Sequence, residues 1–315
     1  MTSDYRVIVN WEWTSKCNAR CAMCPRHMID NPIISTELTF DQTLVRLAPR
    51  DVFRCVIAGY GEPTTHPLFD RFVERLRGHP VAFDMATNGS RLTEARLRRL
   101  DGVIRTLMIS FSSVDPAVYQ SVHTNLDQAV VMANILAAAR VLERTRLVIN
   151  LSPTAACLDT LADTVAWLRR NGVRELHMSP TYYDRAGAQS TTGQPDHERL
   201  RAAIRRHGLG SQETAFIPGV ADIVGQWRAN RFRCVPRNTN VLITASGDYG
   251  YCFNDIRTSR RLGNVADVRL REALERREAM AEERDICGQC NLRDRYRPKE
   301  LARVAVAYAR SRLAA

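Results

Sequence analysis

The chain has 315 residues, 45% of them hydrophobic and 25% charged, which is an ordinary balance for a folded soluble protein. No apolar run approaches the roughly 20 residues that a bilayer crossing needs, and MTSDYRVIVNWEW lacks the basic start and apolar run of a secretion signal. A cytoplasmic address without membrane attachment is therefore expected. The formal charge is +11, yet only Lys16 and Lys299 among the 45 basic residues are not arginine, and no aromatic-interleaved basic stripe accompanies them. The excess, including the basic run from Arg293 to Arg312, is read as solvated helix faces and argues against a nucleic-acid partner.

Short apolar runs alternate with amphipathic patterns along the first 180 residues or so. The runs predict strands at Arg6–Trp13, Phe53–Ala58, Val81–Ala86, Ile104–Ser110, Leu147–Ser152 and Val173–Met178. Helices are predicted between them at Asp41–Leu47, Leu68–Arg77, Thr93–Leu100, Leu126–Leu142 and Leu161–Arg170, the last closed by Asn171-Gly172. This order implies an α/β fold with parallel strands and right-handed crossovers. Six strands are too few to close an eight-stranded barrel, so a partial (β/α)6 TIM-like barrel is expected, with ligands beyond the carboxyl ends of its strands.

The pattern changes after Pro180, with a polar loop, a basic helix around His197–His207 and a Pro218-Gly219 turn. From Cys234 the sequence suggests a hairpin turning at Gly247-Asp248, a charged helix over Asp267–Arg284 and a terminal helix. The expected division is a barrel over 1–180, a connecting, substrate-side segment over 181–233 and a cysteine-bearing C-terminal domain over 234–315.

That last expectation comes from the nine cysteines. An odd number in a reducing compartment does not suggest a disulfide framework. Cys55 and Cys157 sit in apolar or helical surroundings and are read as small core residues. A set of three and a set of four remain. Cys17, Cys21 and Cys24 directly follow the first strand. Three thiolates at that spacing can wrap one face of a cubic 4Fe–4S cluster and leave the fourth iron open. Zinc is the alternative, but a closed zinc site wants four ligands, and only His27 is at hand to complete one.

Cys17-x3-Cys21-x2-Cys24 after a first strand resembles the signature of the radical S-adenosylmethionine (SAM) superfamily. The resemblance implies that the open iron holds SAM, whose cleavage yields a 5′-deoxyadenosyl radical. It also implies an external electron donor such as flavodoxin or ferredoxin. Met23 stands where the family usually has an aromatic residue. After the second strand, AGYGEPTTHP resembles the family's glycine–glutamate motif and implies SAM contacts from Tyr60, Gly61 and Glu62. ATNGS likewise implies Asn88 beside the SAM ribose, and ISFSSVDP implies Ser110, with Ser112 replacing the usual Asp.

The second set continues the resemblance. Cys234, Gly247, Cys252 and the Cys287-x2-Cys290 pair are similar to the auxiliary-cluster domain called SPASM, in its shorter twitch form, which implies a second, closed 4Fe–4S cluster. A structural zinc site is the alternative for the same four thiolates. Among twitch enzymes the spacing is most similar to the aminocyclitol dehydrogenase type, implying oxidation of a secondary alcohol of a sugar-like small molecule to a ketone. Strand alternation places Asn10, Glu12, Asp84, Thr106, Asn150, Ser152, His177 and Ser179 on the inward face, which suits a polyol. Glu12 and His177 are the candidates for proton acceptance, with Tyr182, Asp184 and Arg185 secondary.

Two other enzyme readings stay open, peptide modification and radical decarboxylation or epimerisation of a sugar acid. A peptide-recognition domain before the barrel is not expected, because strand one begins near Met1. A zinc-dependent RNA-binding module is the non-enzymatic alternative.

Overall fold

The computed structural model describes residues 5–181, 194–212, 215, 217–229, 234–281, 284–288, 290, 302, 305, 306 and 309. Tyr182, Asp184, Arg185 and almost all of the expected terminal helix lie outside these residues. The first half alternates strand and helix: β1 (Val7–Trp11), a two-residue β2 (Arg20–Cys21), α1 (Glu37–Arg46), β3 (Val52–Ile57), α2 (Phe69–Leu76), β4 (Phe83–Thr87), α3 (Glu94–Leu100) and β5 (Thr106–Phe111). It continues with α4 (Pro116–Val122), a short β6 (His123–Thr124), α5 (Gln128–Val141), β7 (Arg146–Leu151), α6 (Ala155–Asp159), α7 (Leu161–Arg170) and β8 (Glu175–Met178). Then come α8 (His197–Arg206), β9 (Gly210–Ser211), α9 (Val220–Ala229), α10 (Val235–Thr239), β10 (Asn240–Ile243), β11 (Asp248–Gly250), β12 (Arg261–Asn264), α11 (Leu270–Ala279) and α12 (Arg284–Cys287).

The main sheet runs β12-β11-β10-β1-β3-β4-β5-β7-β8-β9. The six expected strands are consecutive within it and all parallel, giving the open partial barrel. β10 lies parallel against the outer side of β1, pairing Asn10 with Leu242, and β11 and β12 add antiparallel strands beyond it. The C-terminal hairpin therefore continues the barrel's own sheet. Its loop spans Thr244–Gly247, with Gly247 at φ +84°, and Asp248 opens the return strand.

Helix starts follow local chemistry. Thr36, Thr93, Asp115, Asp127, Thr154 and Asp196 each accept an amide of the first turn, which satisfies donors the helix leaves open. The Thr36 cap starts α1 four residues before the expected Asp41. α11 is shorter than the charged stretch suggested and ends at Ala279.

Apolar side chains on the helix side of the strands form one core that includes Val9, Trp11, Cys55, Ile57, Met85, Leu107, Ile109, Phe111, Ile149 and Met178. Cys55 and Cys157 are fully buried, as expected of small core residues. At its most aromatic point Trp11 stacks on Phe40 at 4.8 Å, Phe40 on Phe72 at 4.0 Å, and Trp13 meets Phe72 edge-on at 5.4 Å. Such pairs add about 0.5–1.5 kcal/mol each beyond area burial, and here they fix the end of β1 from which the cysteine loop departs. No helix among the described residues is long and apolar enough to cross a membrane.

Candidate functional site

The cysteine loop is closed at its neck. Ser15 N–H donates to the Ile33 carbonyl and Ser35 N–H to the Trp13 carbonyl, both at 2.9 Å, while Ile33 N–H reaches the Ser15 hydroxyl at 2.7 Å. Within the loop Ala19 N–H points at Cys17 Sγ (3.4 Å), and Cys24 N–H turns back to the Cys21 carbonyl (3.0 Å). β2 holds Cys21 against β6 in an antiparallel pair, which sets Cys21 opposite His123. Burial raises the Cys17 thiol, and burial followed by the neighbouring Cys24 and Cys17 charges pushes Cys21 up to about 12. Thiols placed so ionise when a cationic core takes up their charge. His27 is exposed, with Nδ1 3.3 Å from the Cys24 carbonyl, and does not join them.

Two glycines after β3 let the next loop reach this one. A Cβ on Gly59 would lie 2.4 Å from Glu12 Oε2, and one on Gly61 would lie 2.0 Å from the Thr14 carbonyl and 2.5 Å from that of Lys16. Glu62 N–H then bonds the Lys16 carbonyl at 2.9 Å. The Glu62 carboxylate is buried and ties two loops together. Oε1 accepts the Thr64 amide (3.0 Å), the Thr64 hydroxyl (2.6 Å) and the Thr87 hydroxyl (2.7 Å), and Oε2 accepts the Asn88 amide (2.7 Å). Burial raises its pKa against these donors. Asn88 in turn donates to Asn18 Oδ1 inside the cysteine loop (2.9 Å), and Asn18 donates to Ser90 (2.9 Å). Cys17–Cys24, Tyr60–Glu62 and Asn88 thus form one continuous rim at the carboxyl ends of β1, β3 and β4.

Ser110 lies deeper. Register aligns it with Asn150, His177 and Gly210 on adjacent strands, opposite in alternation to the core-facing Ile109, Ile149 and Met178, so this row faces the concave side. Gly210 leaves room for the His177 ring. Burial, then Arg146, lowers the His177 pKa. Asp84, expected in the same cavity, is committed elsewhere: it pairs with Arg105 at 2.6 Å and Arg54 at 3.6 Å, forming a charged floor with Arg146–Glu175. Glu12 is also committed. Its Oε2 accepts the Tyr60 amide (2.7 Å) and its Oε1 the Ala245 amide (3.4 Å), and only 5% of it is exposed.

The second cysteine set borders this rim. Asn254 N–H points at Cys252 Sγ (3.4 Å), and Cys290 N–H turns back to the Cys287 carbonyl (3.3 Å), repeating the two local motifs of the first loop. Burial pushes Cys234 up to about 11 and raises Cys252 further. Behind them lie two buried cations. Arg277 donates to the Asn240 (2.6 Å) and Asn238 (3.1 Å) carbonyls, and Arg237 donates to the Arg277 carbonyl (2.7 Å) with Glu278 at 3.6 Å. The Tyr60 hydroxyl donates to the carbonyl of Phe253, next to Cys252, and Tyr60, Leu242 and Ile256 make a small apolar cluster against Met28, Ile29 and Phe253. Both cysteine neighbourhoods meet at that cluster.

The donor set fits iron–sulfur clusters: seven thiols outside any disulfide, sulfur-directed amides in both loops, and excess buried positive charge behind the second set. Among the described residues no three His, Cys, Asp or Glu side chains are gathered closely enough to hold a metal ion.

Residues 11–155 match the family model of the radical SAM superfamily. Over that stretch the chain is similar to the superfamily, whose members use a 4Fe–4S cluster and SAM. A probable GTP 3′,8-cyclase from Thermococcus kodakarensis is 31% identical over 113 residues, covering 35% of this chain and 36% of that protein. The chain spans about a third of the length of the curated relatives it matches. Of solved structures, Streptococcus suis SuiB bound to the precursor peptide SuiA is similar with a TM-score of 0.67 at 14% identity, covering 92% of this chain and 70% of that one. BtrN in complex with AdoMet and 2-DOIA is similar at 0.51 and 15% identity, covering 91% and 93%. These likenesses establish the fold.

Several residues of this rim were not anticipated. Thr64 and Thr87 each stand within two positions of a motif residue, so GEPTT and ATNGS did contain the signal for hydroxyls that fix Glu62 and Asn88. Asn18 and Ser90 lie inside the quoted motifs without a spacing rule to mark them. His123 has no signal at all in the linear sequence.

Proposed function

We propose that the protein is a radical SAM dehydrogenase that oxidises a secondary alcohol of a sugar- or aminocyclitol-like small molecule to a ketone. The observation that carries this reading is the packing of Tyr60, Leu242 and Ile256 against Met28, Ile29 and Phe253, which brings the loop of the first three cysteines to the residue beside Cys252. A second redox site built against the first suits a reaction that must dispose of an electron.

In this reading Cys17, Cys21 and Cys24 hold the SAM-site cluster, and Cys234, Cys252, Cys287 and Cys290 hold an auxiliary one. Tyr60, Gly61, Glu62, Asn88 and Ser110 line the SAM site. Bound there, the clusters and SAM supply a hydrogen-abstracting 5′-deoxyadenosyl radical, primed by a flavodoxin or ferredoxin, and an acceptor for the electron left behind. The chain supplies orientation and proton transfer. Ser110, Asn150 and His177 share one register row whose hydroxyl, amide and imidazole can bind vicinal hydroxyl or amino groups. His177, neutral near pH 7 because burial lowers its pKa, accepts the alcohol proton. Glu12 acts by position, holding the Tyr60 loop and the hairpin loop together. Buried Arg237 and Arg277 offset the negative charge of four thiolates at the auxiliary site.

Peptide modification is the second reading, favoured by the higher structural similarity to SuiB than to BtrN. One assay separates the two. Anaerobic protein with reductant and SAM is given a panel of aminocyclitols and sugars, and separately of peptides. Equal yields of 5′-deoxyadenosine and a ketone support dehydrogenation, and His177→Asn abolishes the ketone with both clusters intact. Products only from peptides overturn it.

A further inference from the structure

Cys21 has a partner that the motif does not describe. The β2–β6 pair places His123 directly across from it, Ala22 N–H anchors the ladder on the Val122 carbonyl at 3.0 Å, and His123 Nδ1 lies 3.3 Å from Cys21 Sγ. His123 is 3% exposed, and the Tyr119 ring one helical turn earlier packs against it at 5.1 Å. Its Nε2 is buried without a hydrogen-bond partner among the described residues.

The surroundings decide where the imidazole proton sits. With a proton on Nδ1 alone, or on both nitrogens, Nδ1–H points at the sulfur. With a proton on Nε2 alone, a buried N–H faces no acceptor, at a cost of about 1–3 kcal/mol, and the Nδ1 lone pair opposes a sulfur lone pair. Only a proton on Nδ1 alone serves the sulfur without stranding a donor, since a second proton would leave Nε2–H buried with no acceptor among the described residues.

We propose that His123 donates an Nδ1–H···S hydrogen bond to Cys21 and thereby raises the reduction potential of the cluster that Cys21 ligates. This rests on the reading of Cys17, Cys21 and Cys24 as cluster ligands. One-electron reduction by a low-potential donor adds negative charge to the cluster and its thiolate sulfurs. A donor aimed at one of those sulfurs stabilises the reduced form more than the oxidised form. His123 acts through Cys21 and is a positioning residue. His123 meets Cys21 through the β2–β6 pair, whereas Glu62 and Asn88 are bonded to each other.

The test is an EPR-monitored redox titration of the reconstituted full-length protein, following the cluster signal that SAM perturbs, in wild type, His123→Leu and His123→Asn. Asn can present its amide N–H near the position of Nδ1. His123→Leu is expected to have an about tenfold smaller reduced-to-oxidised ratio at a fixed potential, about 59 mV for one electron. His123→Asn should return most of that shift. Loss of the SAM-perturbed signal in the Leu variant with retention in the Asn variant at wild-type potential also supports donation. An unchanged potential in His123→Leu, an uncorrected shift in His123→Asn, or loss of the cluster from both variants overturns it. A wild-type protein with no SAM-perturbed cluster signal removes the ligand reading itself, and the inference with it.

Discussion

Glu12 accepts the amide of Tyr60, 48 residues along the chain, at 2.7 Å inside the protein wall. Its other oxygen takes the Ala245 amide of the C-terminal hairpin. One carboxylate therefore fixes the Tyr60 loop and the C-terminal hairpin to the end of β1. Burial raises its pKa, and the two amide donors oppose that shift.

Glu12→Ala leaves two buried amides without acceptors, at about 1–3 kcal/mol each. The expected result is a lowered thermal midpoint and loss of iron from the auxiliary site before the SAM site. Glu12→Gln, which keeps one acceptor oxygen, should fall between. An unchanged midpoint with abolished turnover in Glu12→Gln would instead make Glu12 a proton acceptor for substrate.

Gly61→Ala tests the close approach of the two rim loops. The added methyl meets backbone oxygens of Thr14 and Lys16, which cannot swing aside. SAM affinity, measured by calorimetry on the reconstituted protein, should fall at least tenfold. Thr87→Val removes a hydroxyl from the buried Glu62 carboxylate and should cost about 1.5–3 kcal/mol of stability. Affinity unchanged in Gly61→Ala contradicts the rim.

Much of this site was legible because each motif directly follows a strand, and strand alternation separates core-facing from cavity-facing residues without long-range information. Asn150 and His177 were found that way, and their register with Ser110 followed. What stayed hidden depends on pairing between distant segments. Nothing near Asn240 says that it will lie beside Ile8, so the hairpin was expected as a separate unit. The same pairing turns Glu12 from a cavity carboxylate into a tether. α4 was missed although Asp115-Pro116 is a capping residue followed by proline at the first helical position. The Arg277 burial is another long-range effect, set by carbonyls at the junction of α10 and β10.

Acid should destabilise the protein through its histidines. His66 Nε2 lies 2.9 Å from the Ser35 carbonyl, and its Nδ1 accepts the Leu68 amide at 3.0 Å, so the ring is neutral with both nitrogens used. Burial lowers its folded-state pKa. The unfolded chain then binds the proton first, near pH 6.5, and stability is lost as pH falls from there toward the folded-state value. Denaturant melts from pH 8 to pH 5 should show a flatter profile for His66→Gln than for wild type. Parallel profiles contradict the assignment.

Arg277→Met removes the donor for two buried carbonyls beside the auxiliary cysteines and one of two cations there. Losing each of these charge-assisted bonds costs about 1.5–3 kcal/mol. The auxiliary cluster should also become harder to reduce, while the SAM-perturbed EPR signal keeps its potential. An equal shift in both signals would place Arg277 outside the second site.

The most direct measurement is iron and acid-labile sulfide per chain after anaerobic reconstitution, in wild type and in the two cysteine-set variants. The account predicts about eight irons in wild type. It predicts about four in Cys17→Ala/Cys21→Ala/Cys24→Ala and about four in Cys287→Ala/Cys290→Ala, with only the latter protein still perturbed by SAM. About four irons in wild type, unchanged by Cys287→Ala/Cys290→Ala, would contradict the two-cluster account.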